Sequence, residues 1–105
     1  MISLREISEA TQIIIPIELD IDIPLEICEP GENTDKNSLL FMTPLANGEP
    51  RSIPSGINPY AVVCSFSDKR SYGQIPVIRT ASVRRTLAFA YSKMYDIDYS
   101  QVVIE

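Results

Sequence analysis

The hydrophobic positions of this 105-residue chain change period three times, and each change predicts an element. Near the start, Ile2, Leu4 and Ile7 form one side of a short helix over Leu4 to Ala10. Ser3 and Glu6 stand three apart ahead of it as a capping box. From Ile13 to Ile27 every odd position is apolar, while the even positions hold Ile14, Pro16, Glu18, Asp20, Asp22, Pro24 and Glu26. Period-2 alternation predicts a strand with one face buried. The stretch is too long for one strand and contains two prolines, so it predicts two strands, or one bent strand, at or near a sheet edge. The acidic face lacks the spacing of a calcium loop and is read as a charged edge that blocks edge-to-edge pairing.

Short apolar runs follow. Leu39–Met42 and Tyr60–Phe66 predict buried strands, the second an interior one, and Pro76–Ile78 predicts a third. Polar, turn-rich segments separate them: 29–38, then 43–59 with four prolines and two glycines, then 67–74. After Pro76–Ile78, Thr80 or Ser82 is placed to cap a helix. Val83, Leu87, Ala90, Tyr91 and Met94 then recur on one helical face, with Ala88 and Ala90 small enough for close approach to a sheet. A last apolar run, Val102 to Ile104, predicts a closing strand. Strand, turn, helix, strand is half of an α/β unit. The expected fold is therefore a single α/β domain over residues 1–105, a small mixed sheet with packed helices. Ala61–Ser65 and Val77–Arg79 are expected as neighbouring parallel strands. The 67–74 connection is short for a crossover, which leaves open a parallel but non-adjacent pair, or an antiparallel one.

Composition narrows the function. Hydrophobic content of 45% with 22% charged residues suits a globular core rather than disorder. A net charge of −5, with nine basic residues scattered apart from Lys69-Arg70 and Arg84-Arg85, argues against nucleic acid and anionic membranes as partners. The helical arginine pair is read as a solvated polar face. No apolar run approaches the ~20 residues that span a bilayer, and the charged N-terminus is unlike a signal peptide, so the cytoplasm is the expected location. Cys28 and Cys64 sit in apolar runs and are read as buried small hydrophobes. There is no histidine, which removes Ser–His–Asp and Cys–His catalysis and most zinc sites.

The second half carries a family resemblance. Leu40-Phe41, Ala61-Val62-Val63 and Pro76-Val77-Ile78 stand in the order of an LFVA-like strand, an A-V-V strand and a P-V-I strand. Val83-Arg84, Leu87-Ala88, Ala90 (one place early) and Met94-Tyr95 echo a V-R-x-A-L-A-x-x-A-x-x-F-Y helix. The chain resembles the N-terminal domain of Mur ligases, most closely the MurE type (UDP-N-acetylmuramoyl-tripeptide synthetase) and more broadly the MurE/MurF N-terminal fold. The opening MISLREISEAT is similar too. The resemblance implies a domain that recognises a UDP-N-acetylmuramoyl-peptide and works beside further ligase domains. Those domains would use ATP and magnesium, and this chain would hold no cofactor and no catalytic residue. In the family a phosphate loop, Gly-Thr-Asn-Gly-Lys-Thr, follows the closing strand; the four glycines here, at 31, 48, 56 and 73, match no such pattern.

Two ligand motifs depart from the family. Gly31, Glu32 and Asn33 occupy the places of Asp-Ser-Arg, which helps hold the uridine diphosphate, and Ala46-Asn47-Gly48-Glu49-Pro50 replaces Gly-x-x-x-Asp-Gly-His. The expected ligand contacts are Asn33, Thr43, Asn47 and Gly48, with the Glu32 carboxylate opposing the diphosphate. The same residue types also serve ordinary turns. A degenerate Mur-like domain or a stand-alone protein-interaction module is the alternative, suited by the acidic stretch, the Pro-rich loop and the altered ligand motifs.

Overall fold

In the computed structural model, residues 1–96 are described. They form a mixed α/β fold: helix α1 (Leu4–Ser8), strands β1 (Ile13–Ile14), β2 (Glu26–Cys28), β3 (Ser38–Phe41), β4 (Ala61–Ser65) and β5 (Val77–Thr80), and helix α2 (Val83–Met94). The sheet order is β1-β5-β4-β3-β2, with β2 to β5 mutually parallel and β1 antiparallel to β5. The predicted closing strand at Val102 to Ile104 lies outside the described residues.

Alternation along the strands decides which layer each side chain enters. Leu39 and Phe41, Ala61 and Val63, and Ile78 face one side, where they meet Ile2, Leu4 and Ile7 of the N-terminal segment and Val83, Leu87 and Ala90 of α2. Leu40, Met42, Val62 and Cys64 face the other side with Cys28 and Tyr72, under Ile57, Ile75 and Val77. One face of the sheet is thus covered by helices and the other by loops. Both cysteines are free and buried, as the sequence predicts. Burial holds each thiol above its ordinary pKa, with nearby carboxylates adding to the rise.

The predicted helix face is the observed one: Val83, Leu87 and Ala90 lie in the core, and Tyr91 and Met94 pack on its edge. Of the two candidate caps, Ser82 acts, its hydroxyl accepting the Arg85 N–H at 3.3 Å. Thr80 instead bonds Thr86 through their buried hydroxyls at 2.8 Å. At the N-terminus both halves of the Ser3–Glu6 capping box form, and α1 ends at Ser8, two residues before Ala10.

The alternating stretch needs correction. Only its two ends join the sheet, and they lie on opposite edges: β1 beside β5, and β2 beside β3. Between them the chain turns twice, with prolines at 16 and 24 unable to donate to a ladder. The sidedness survives without the ladder. Ile13, Ile15, Leu19, Ile21 and Ile23 all pack on the core, and Leu25 is fully buried. Ile17 breaks the pattern at 99% exposure, because it occupies a turn closed by the Leu19 N–H on the Pro16 carbonyl at 3.1 Å.

β4 and β5 are adjacent and parallel, in the register Val62↔Val77 to Ser65↔Thr80. The connection 66–76 is short and has no helix, so it is held by side chains. Asp68 accepts from Arg70 Nε at 2.9 Å, Arg70 Nη2 at 3.0 Å and the Tyr72 hydroxyl at 2.7 Å. Arg79 Nε, on β5, donates back to the Asp68 carbonyl at 3.1 Å.

Candidate functional site

The carboxyl ends of β3, β4 and β5 and the start of α2 surround a cavity of about 340 Å³. In sheets of parallel strands this is where ligands bind, because the loops leaving the strands diverge there. β3 delivers Met42, followed by Pro44, Gly48, Pro50 and Arg51 from the Pro-rich loop. β4 delivers Ser65, then Ser67, Asp68 and Arg70. Beyond β5, Ala81 to Arg84 close the rim.

Three arginines and one carboxylate set the electrostatics. Arg70 is committed to Asp68 and also donates through Nη1 to the Arg51 carbonyl at 2.6 Å. These hydrogen bonds from Arg70, seconded by the one from Tyr72, hold the Asp68 carboxyl far below the usual carboxylate range. The Tyr72 phenol is pushed well above its ordinary value, first by burial and then by its bond to Asp68. Arg51 Nε donates to the Thr43 carbonyl at 2.8 Å. Arg84 Nη2 donates to the Pro44 and Leu45 carbonyls at 2.9 and 3.3 Å. The solvated-face reading of the Arg84-Arg85 pair is therefore corrected at Arg84: it is half-buried and clamps a loop forty residues away in sequence.

The predicted contact residues divide between two places. Gly48 lines this cavity, in a turn closed by its own N–H on the Leu45 carbonyl at 2.9 Å. Its φ of +87° is a conformation that a side chain would strain. Thr43 and Asn47 belong to the same loop. Thr43 is buried and offers its carbonyl to Arg51, while Asn47 Oδ1 accepts the Glu49 N–H at 3.0 Å. Asn33 lies elsewhere, in a second cavity of about 350 Å³ lined by Gly31 to Thr34, Leu40 and Pro54 to Ile57. Glu32 is there with it, its Oε1 accepting the Glu29 N–H at 2.6 Å.

Sequence reasoning passed over Arg51, Arg70 and Arg84, which are spread along the chain among scattered basic residues. One signal was available. A helix that opens with arginines and carries no acidic residue in its first turn runs against its own dipole, so those charges need another role.

The glycines occupy four separate turns, and among the described residues no three carboxylate, thiol or imidazole groups gather. No described helix is long and apolar enough to cross a membrane. Comparisons with known protein families, with curated proteins and with solved structures return no match.

Proposed function

We propose that the chain is a substrate-recognition domain of the Mur-ligase type, similar to the MurE/MurF N-terminal fold. It would hold a UDP-N-acetylmuramoyl-peptide while other ligase domains perform the chemistry with ATP and magnesium. One observation carries this reading. The loop 43–50, which stands where the family keeps its substrate loop, forms a wall of the cavity at the carboxyl end of the sheet. A volume of about 340 Å³ suits part of a nucleotide sugar, so the rest would lie against neighbouring domains. Binding by this chain alone is accordingly expected near the millimolar range.

The test is an NMR titration with UDP-N-acetylmuramic acid. Amide shifts gathered in 43–51, 65–70 and 81–84 are the expected result. No shift anywhere at several millimolar ligand would sink the reading.

A protein-interaction role is the second reading, and the Asn33 cavity favours it. Glu32 lines that cavity where the family carries Asp-Ser-Arg, so a carboxylate stands in place of a diphosphate-holding group.

A further inference from the structure

We infer that β1 is a self-pairing edge, through which two copies of this chain meet about a two-fold axis at Ile14. The inference is independent of the recognition reading, since no residue from 11 to 17 lines either cavity.

Among the described residues the sheet ends at β1 on one side and at β2 on the other, and the two ends are finished differently. Beside β2, Ile2 takes up the outer backbone groups of Leu25, donating and accepting at 2.8 Å, and the exposed Glu26 puts a charge on the strand. Both devices discourage further pairing. β1 has neither. Residues 10 to 17, ATQIIIPI, carry no charge. Ile14 is 64% exposed, and Ile17 just beyond it is almost wholly so. The acidic positions that the sequence places along a protective edge begin only at Glu18, past β1.

Register decides which backbone groups point outward. The Val62 N–H donates to the Pro76 carbonyl and the Phe66 N–H to the Thr80 carbonyl, so the even residues of β5 face β4. Arg79 therefore faces β1, where its register partner is Ile14. Alternation then turns the N–H and carbonyl of Ile13 and Ile15 away from the sheet. A second copy laid antiparallel about Ile14 sets Ile13 of each chain opposite Ile15 of the other. In that register the outward groups complete four hydrogen bonds, and the two Ile14 side chains meet as a close, non-hydrogen-bonded pair. Pro16 costs this ladder no donor, since the donors are those of Ile13 and Ile15.

Electrostatics fits the same occupant. Two chains of net charge −5 repel, and they approach at least cost through a face without carboxylates. Carried to the flanking charges, the register sets Glu18 beside Ala10 and Glu9 beside Leu19, so no carboxylate meets another. A face that matches itself in donors, acceptors and side chains is what a two-fold interface requires. The ladder is short and buries far less than the roughly 1,200 Å² of a stable interface, so the dimer is a weak one, with a dissociation constant of roughly 0.1–1 mM.

Sedimentation and amide exchange of the full chain, from about 20 μM to about 2 mM, test the inference. The variants are Ile14→Lys, Ile14→Asp and Ile53→Lys; Ile53 is an exposed apolar residue outside β1 and controls for general loss of apolar surface. The wild type should dimerise as concentration rises. The Ile13 and Ile15 amides should slow in step with it, while that of Ile14, already paired with Arg79, should not change. Ile14→Lys and Ile14→Asp should each weaken the dimer about tenfold or more, because like charges meet at the axis, and mixing the two variants should restore it. Ile53→Lys should associate like the wild type. Should a charged variant fail to fold, the concentration dependence of the Ile13 and Ile15 amides in the wild type decides alone. A dimer that ignores Ile14→Lys, or charged variants that stay monomeric when mixed, overturns the proposal. So does a wild type that is monomeric throughout: slow Ile13 and Ile15 amides would then mean that the chain covers its own edge, and fast ones would leave the edge to a different protein.

Discussion

The Tyr91 hydroxyl donates to Oε2 of Glu29 across 2.5 Å, tying α2 to the loop that leaves β2, 62 residues earlier in the chain. The bond closes the helix layer over one edge of the sheet, and Tyr95 stacks on Tyr91 with ring centroids 6.0 Å apart. Burial, and then the bond to Glu29, raises the Tyr91 phenol well above its ordinary value. A folded-state pKa raised in this way means that the contribution is whole below the ordinary phenol pKa of about 10 and is lost as pH climbs beyond it.

Tyr91→Phe should therefore cost about 1 kcal/mol at neutral pH, a charge-assisted bond discounted for its half-exposed site. Above about pH 10 the wild type should lose stability more steeply than the variant. Urea unfolding from pH 8 to 11 measures both slopes. Parallel curves would show that the bond is not formed in solution.

Asp68 gives the opposite pH signature. The bonds from Arg70 depress its carboxyl pKa, so its contribution is present above the ordinary carboxylate value near 4 and lost as pH falls below it. Its side chain is only 9% exposed, but that of Arg70 is 34% exposed, which softens the cost of breaking the pair. Asp68→Asn should cost about 2 kcal/mol at pH 7 and should flatten the acid limb between pH 4 and 2. The connection 66–76 should also lose amide-exchange protection, because two side chains of the loop, those of Arg70 and Tyr72, converge on that carboxylate. Protection equal to that of the wild type would mean that the loop is held by something else.

Leu87 stands at the centre of the α2 face and is buried against the sheet. Leu87→Ala should cost about 2–5 kcal/mol in urea unfolding, the range for a cavity left in a packed core. A loss well under 1 kcal/mol would place the buried face elsewhere on the helix.

The elements read most easily from sequence were those with a single dominant signal. In α2 a cap, a repeat at helical spacing and small residues all agree, and β3 and β4 announce themselves as apolar runs buried on both faces, whereas β5 buries alternate residues. The stretch from Ile13 to Ile27 shows the limit of periodicity. Period 2 reports which side of the chain is buried, and this held from Ile13 to Leu25 except at Ile17. It does not report whether a neighbouring strand is present to pair, and two prolines and two turns prevented that. The β4–β5 connection was ambiguous for a related reason. Length suggests whether a crossover helix fits, but the Asp68–Arg70–Tyr72 network that replaces one depends on side-chain geometry.

The candidate cavity was half legible. The turn-rich loop 43–50, which walls it, could be located through its turn residues. Its charge could not, since Arg51, Arg70 and Arg84 come together only when three strands align their carboxyl ends. Their own hydrogen bonds, to backbone carbonyls and to Asp68, leave no trace in sequence spacing.

Glu32→Ser distinguishes the two cavities as the place of the nucleotide sugar. From sequence, Glu32 stands where the family keeps a hydroxyl, so its removal would relieve repulsion and tighten nucleotide-sugar binding. In the fold, Glu32 lines the cavity of Asn33, which shares no lining residue with the arginine-lined cavity. Its carboxylate is also turned back onto the Glu29 amide at 2.6 Å. A charge in a separate cavity acts through solvent, where salt at physiological strength screens it over roughly 8 Å. With UDP-N-acetylmuramic acid as ligand, Glu32→Ser should therefore leave the dissociation constant within about twofold of the wild type. Shifts on titration should stay in 43–51, 65–70 and 81–84 in both proteins. Tighter binding in Glu32→Ser, with shifts moving to 31–34, would put the nucleotide sugar beside Asn33 and take it out of the cavity at the sheet's carboxyl end.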